Sequence, residues 1–168
     1  MAMRWRAGFT LVETVLAASL MVLVLGASLS IMGAALRWWQ RGWDRMDAQQ
    51  NARIALMHMT GEIQAASQVV SGSNSQTLII EDTGGNQYKY ELAGDNLRRA
   101  VKNKGFLDFS GYNPLAYGVR TLEFTYDRNP PEQSKMVTIH LVVRDGQGQD
   151  FAVTTTVALR LKVMNGES

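Results

Sequence analysis

The chain reads as an α+β protein in which a long N-terminal helix, one half transmembrane and one half amphipathic, packs on a C-terminal antiparallel β-sheet. Three observations predict this: one unbroken apolar run near the N-terminus, a helical stripe that follows it without proline, and a change to strand-like alternation after residue 75. The 168 residues allow one modest domain beside the apolar run, not two large ones. There is no cysteine, which excludes disulfides, thiolate metal sites and cysteine nucleophiles. The formal net charge is +2. Arg4 and Arg6 account for it, since the remaining 15 basic side chains balance 15 acidic ones.

The apolar run covers residues 9–36, 28 positions whose only charge is Glu13. About 20 apolar helical residues cross the hydrocarbon core of a bilayer, so the run suffices with some tilt. It is too long for a cleavable secretory core, and no small-x-small site with a polar sequel ends it. Trp38, Trp39 and Trp43, interleaved with Arg37, Arg41 and Arg45, suit the far headgroup interface. Two basic residues precede the run and three follow it closely, so charge counting leaves orientation open.

Residues 37–70 are expected to prolong the same helix. Ala52, Leu56, Met59, Ile63, Ala66 and Val70 recur at steps of three and four and draw one apolar stripe, while Gln49, Gln50, Arg53, Glu62 and Gln64 form a free polar side. A helix from Thr10 to Val70 would measure about 90 Å. The cluster SGSNS at 71–75 ends it. Residues 71–168 are then expected to form the sheet domain. Its strands are placed at Thr77–Glu81, Gln87–Leu92, Leu97–Val101, Thr121–Tyr126, Met136–Val143 and Phe151–Val163, in antiparallel hairpins with one face on the helical stripe. Residues 102–119 read as an ordered loop pinned by Phe106, Phe109, Tyr112 and Tyr117.

Candidate catalytic residues are sparse, and no enzyme activity and no cofactor are expected. His58 and His140 are the only histidines and have no nucleophile near them in sequence. The segment Asp145–Asp150 has oxygen donors but lacks the acids of a calcium loop, and reads as a hairpin turn, as does Thr83-Gly84-Gly85-Asn86. Arg98, Arg99, Lys102 and Lys104, close to Phe106 and Phe109, form a basic patch suited either to a nucleic acid backbone or to a solvated strand end.

The segment Gly8-Phe9-Thr10-Leu11-Val12-Glu13, behind a short basic leader and ahead of an unbroken apolar helix, resembles the prepilin signature of type IV pilins and pseudopilins. The resemblance implies that a prepilin peptidase cuts between Gly8 and Phe9, removes residues 1–8 as leader, and methylates the new amino group of Phe9. Glycine before the cut admits close backbone approach, and the basic leader suits the anionic cytoplasmic leaflet.

It further implies a cytoplasmic N-terminus, a globular domain outside the inner membrane, and later residence in a periplasmic or cell-surface filament. Glu13 would then pair with the amino terminus of a neighbouring subunit. As an intramembrane charge it costs a few kcal/mol unless partnered, or else it sits at headgroup depth at the positive end of the helix dipole. The implied partners are the peptidase, other pilins through the N-terminal helix, an inner-membrane assembly platform, and lipid before assembly. The implied machine is a type IV pilus, a type II secretion system or a competence apparatus. The absence of cysteine, and of proline before Pro114, departs from many major pilins, and the stretches ARIALMHMTGEIQAA and VALRLKVMN are more similar to minor pilins and minor pseudopilins. The alternatives are a permanently anchored envelope binding module that never polymerises, and a DNA-uptake (competence) pilin that binds nucleic acid.

Overall fold

The computed structural model describes residues 10–160. It is α+β: a 55-residue helix α1 (Leu11–Ala65) is followed by two antiparallel sheets. The first sheet holds β1 (Ala66–Val69), β2 (Thr77–Asp82), β3 (Gln87–Ala93), β4 (Asn96–Lys102) and β5 (Ser110–Ala116) in sequential order, and the second holds β6 (Val119–Tyr126), β7 (Met136–Arg144) and β8 (Asp150–Ala158). The expected single sheet is therefore two. The chain divides into two units, Met1–Gly42 and Trp43–Ser168.

In the first unit α1 exposes almost every side chain. Its hydroxyl groups are satisfied within the helix: Thr14, Ser19, Ser28 and Ser30 each donate to a carbonyl three or four residues back, at 2.8–3.0 Å. Such internal bonding lets polar side chains sit in an apolar medium without an orphaned donor.

In the second unit the α1 stripe is buried as its spacing predicts. Ala48, Ala52, Ala55, Leu56, Met59 and Ile63 pack into one core with Leu78, Ile80, Tyr90 and Leu97 of the first sheet and Leu122, Phe124, Val137, Ile139, Leu141 and Val143 of the second. Burying a valine, leucine, isoleucine, phenylalanine or methionine side chain contributes about 1.5–3 kcal/mol, and an alanine methyl less. The two sheets meet where the Phe124 amide donates to the Ser75 carbonyl at 2.9 Å and the Val119 amide to Asp95 at 2.8 Å.

The helix stops five residues short of the expected Val70, because residues 66–69 pair with β2 (Ala66↔Asp82, Val69↔Ile80). A bulge between Ala66 and Gln68 allows Ala66 and Val69, three apart, to be buried together. A strand so bulged carries a helix-like spacing of apolar residues. The second correction is β5, placed where a loop was expected. Five of its seven residues are exposed, so it shows no apolar alternation, and it carries Pro114 on an edge. Phe106, Tyr112 and Tyr117 are exposed and pin nothing; Phe109 is half-buried, with the Lys102 ammonium 5.6 Å from its ring centre. The last strand ends at Ala158 rather than running to Val163, of which residues 161–163 lie outside the described residues.

The turns follow their sequences. Asp82 Oδ1 accepts the Gly84 and Asn86 amides at 2.8 and 2.9 Å, and Asp145 Oδ1 accepts those of Gln147 and Gln149 at 2.9 and 2.8 Å. Gly118, between β5 and β6, has φ of +68°, and a Cβ there would lie 3.0 Å from the Arg144 carbonyl oxygen. Only glycine meets both conditions.

Candidate functional site: the α1 sheath and its polar junction

Gly8 and Phe9, the expected cleavage and methylation positions, lie outside the described residues. The described part of the signature begins at Thr10. Its carbonyl accepts the amides of Glu13 and Thr14, both at 3.1 Å, and its hydroxyl oxygen accepts the Glu13 amide at 3.3 Å. Thr10 thus caps the free amides of the first turn, as the T-x-x-E spacing favours. Glu13 lies in that first turn with its side chain exposed, where the helix dipole favours a carboxylate.

Beyond Glu13 the helix presents a sheath of exposed apolar side chains from Val15 to Leu36 without a charge, then exposed Arg37, Trp38, Trp39 and Arg41. It is long and apolar enough to cross a membrane. A soluble helix buries its apolar residues; this one leaves Leu11 82% and Leu29 73% exposed. An exposed apolar surface of this extent marks a region of membrane or protein contact.

A second constellation lies under the C-terminal turns of α1. Glu62 is not on a free polar side, as its position opposite the stripe suggested. Its carboxylate receives the Arg99 guanidinium through Nη2 at 2.6 Å and Nε at 3.0 Å, together with the Tyr90 hydroxyl. Arg99 also lies over the Tyr88 ring at 4.8 Å, and the Tyr88 hydroxyl donates to Asp82 Oδ2 at 3.1 Å. The Glu62 hydrogen bond holds Arg99 above its ordinary pKa, and burial first, then Glu62, raises the Tyr90 phenol. Burial pushes the Asp82 carboxyl up, but hydrogen bonds from Asn86, Tyr88 and Gly84 outweigh it and leave the pKa lowered. The geometry ties helix to sheet.

Strand parity could have revealed this junction. Leu97, Arg99 and Val101 share one face of β4, opposite Leu92, Tyr90 and Tyr88 of β3. Arginine at a core-facing position requires an acid, and Glu62 adjoins Ile63 of the stripe. The basic patch is correspondingly split: Arg99 is engaged inward, leaving Arg98, Lys102 and Lys104.

The histidines do not come together into a site. His58 Nδ1 is 3.8 Å from Glu62 Oε1, while His140 shares a 2.8 Å hydrogen bond with Thr154 on the outer face of the second sheet. Among the described residues no group of three or more histidine or carboxylate side chains is arranged to hold a metal ion. No family model matches the chain, and no curated protein matches it.

Proposed function

We propose that this chain is a minor pilin or pseudopilin, a structural subunit that is processed by a prepilin peptidase after Gly8 and drawn from the membrane into a type IV pilus-like or type II secretion filament. The observation that carries it is α1 itself: an exposed apolar sheath whose one acid, Glu13, stands in the first turn, in a helix whose later turns pack on a two-sheet body. A helix with that surface is suited to two environments in succession, lipid before assembly and neighbouring helices after it. The body then selects neighbours, at a filament tip or in initiation, and the chemistry is assembly, not catalysis. Nucleic acid binding is the weaker reading, because Arg99 is held by Glu62.

The test is intact-mass measurement on protein extracted from cells that hold a prepilin peptidase. The expected mass lacks residues 1–8 and carries one methyl group on Phe9. A full-length, unmethylated chain would overturn the proposal in favour of a permanent anchor.

A further inference from the structure

The four outer edges of the two sheets differ in one respect. β1 is four residues long and bulged; β5 carries Pro114 and two breaks of register; β6 turns its free side to the first sheet, where Phe124 donates to Ser75. These are ordinary ways of blunting an edge. β8 has none of them. Its nine residues keep unbroken register with β7, from Met136↔Ala158 to Arg144↔Asp150, and contain neither proline nor lysine. Among the described residues no backbone hydrogen bond joins β8 to anything but β7.

Beside this edge the core is open. Val137, Ile139, Leu141 and Val143 of β7 are at most 1% exposed, whereas Phe151, Val153 and Thr155, which face the same way from β8, are only half-buried. A groove of about 960 Å³ separates them from α1. On its far wall α1 carries a second apolar row, Met46, Ile54 and Met57, which are 63%, 48% and 69% exposed. A strand added about 4.8 Å outside β8 would set alternate side chains onto that row.

We propose that the β8 edge and this groove take up one extended segment of a different polypeptide as a fourth strand of the second sheet, with apolar side chains at alternate positions and a carboxylate opposite Arg53. Among the described residues Arg53 is the one charged residue lining the groove, and it makes no ion pair with another of them. An acid in the segment would complement this exposed guanidinium. The β8 of a second copy offers only Asp150, which Arg144 already holds at 2.7 and 2.9 Å. The chain's own described path ends at β1: the Leu159 amide donates to Lys135, prolonging the pairing with β7, and the Arg160 amide donates to Ala66. The inference does not depend on the filament proposal, since an anchored module would use the same edge.

The test uses the full chain in detergent micelles and a fluorescent nonapeptide with valine at alternate positions, threonine between them and one glutamate, read by anisotropy. The peptide is expected to bind. N-methylation along one edge of its backbone, or Met57→Lys or Ile54→Lys in the protein, should weaken binding at least about tenfold, with the thermal midpoint of the protein unchanged by these exposed substitutions. Arg53→Glu should invert the preference between this peptide and its lysine counterpart. Equal binding of the N-methylated peptide, indifference to Arg53→Glu, or no binding at all would overturn the proposal. Two further outcomes would also overturn it by naming another occupant. One is a disulfide-linked homodimer through Ala152→Cys, the sole thiol in the chain. The other is an affinity rise of about tenfold or more on deleting residues 161–168, which would show the tail in the groove.

Discussion

Glu62 shows how one side chain fixes the end of a long helix. Its carboxylate receives both Arg99 and Tyr90, and the side chains of Glu62 and Arg99 are about one-fifth exposed. In that setting loss of one partner leaves the other poorly solvated, so removal costs more than formation yields. Arg99→Met is expected to destabilise the body by about 1–3 kcal/mol, and Tyr90→Phe by about 1 kcal/mol, because it removes one donor and leaves Arg99 in place. Denaturant midpoints of the two variants check the order. Acid sensitivity follows from three other carboxyls. The Met136 and Lys135 amides hold Asp127 below the usual range, Arg144 does so for Asp150, and Asp82 is lowered despite burial. Their folded pKa values lie below the unfolded ones, so their contribution is complete above an unfolded value of about 3.9 and is lost as pH falls through the folded values. Stability is expected to decline as pH falls below about 4 and to decline less in Asp127→Asn, measured by denaturation at a series of pH values.

At the scale of elements, alternation was legible wherever one face was dry and the other wet. In β7 the pattern VTIHLVV places Val137, Ile139, Leu141 and Val143 inward, and all four are buried. The α1 stripe was legible for the same reason. β1 was not, since its bulge preserves a three-residue spacing that suits a helix equally well, and a long-range pairing with β2 decided the outcome. β5 was hidden because neither face is covered along most of its length. The division into two sheets turns on Gly118, which lies between β5 and β6 and accepts the Arg144 amide at 2.8 Å. Gly118→Ala brings a methyl group to 3.0 Å from the Arg144 carbonyl oxygen and demands a positive φ. A loss of about 1–3 kcal/mol is expected. Gly94→Ala is the comparison, because its φ of +66° is similar while its Cβ would meet open space. It should cost less, and a reversed order would mean that the close approach at Gly118 is relieved by movement of β7.

For the whole molecule, the candidate site at the helix start was legible only as a motif: Gly8 and Phe9 carry it in sequence, while Thr10 and Glu13 are its described part. Glu13 separates the proposed filament subunit from a permanent anchor. In a permanent anchor α1 faces lipid, where a carboxylate costs about 2.5–3.5 kcal/mol at mid-span and less near the interface, so Glu13→Leu should be tolerated or should ease insertion. In the proposed filament, lipid around residues 9–36 is replaced by neighbouring helices, and Glu13 meets the methylated and still cationic amino group of a neighbour's Phe9. Removing the carboxylate then strands that cation in an apolar core, which costs more than the pair contributed, and erases the contact that sets axial register. Processing should survive, since the bond between Gly8 and Phe9 is untouched, while recovery in sheared or cross-linked filaments should fall by about tenfold or more. Glu13→Asp keeps the charge on a shorter side chain and should assemble at an intermediate level. Leader removal by mass and filament recovery by cross-linking, measured on the same three proteins, distinguish the two. If Glu13→Leu assembles as well as the parent, the pairing proposed for Glu13 is wrong, whatever the processing measurement shows.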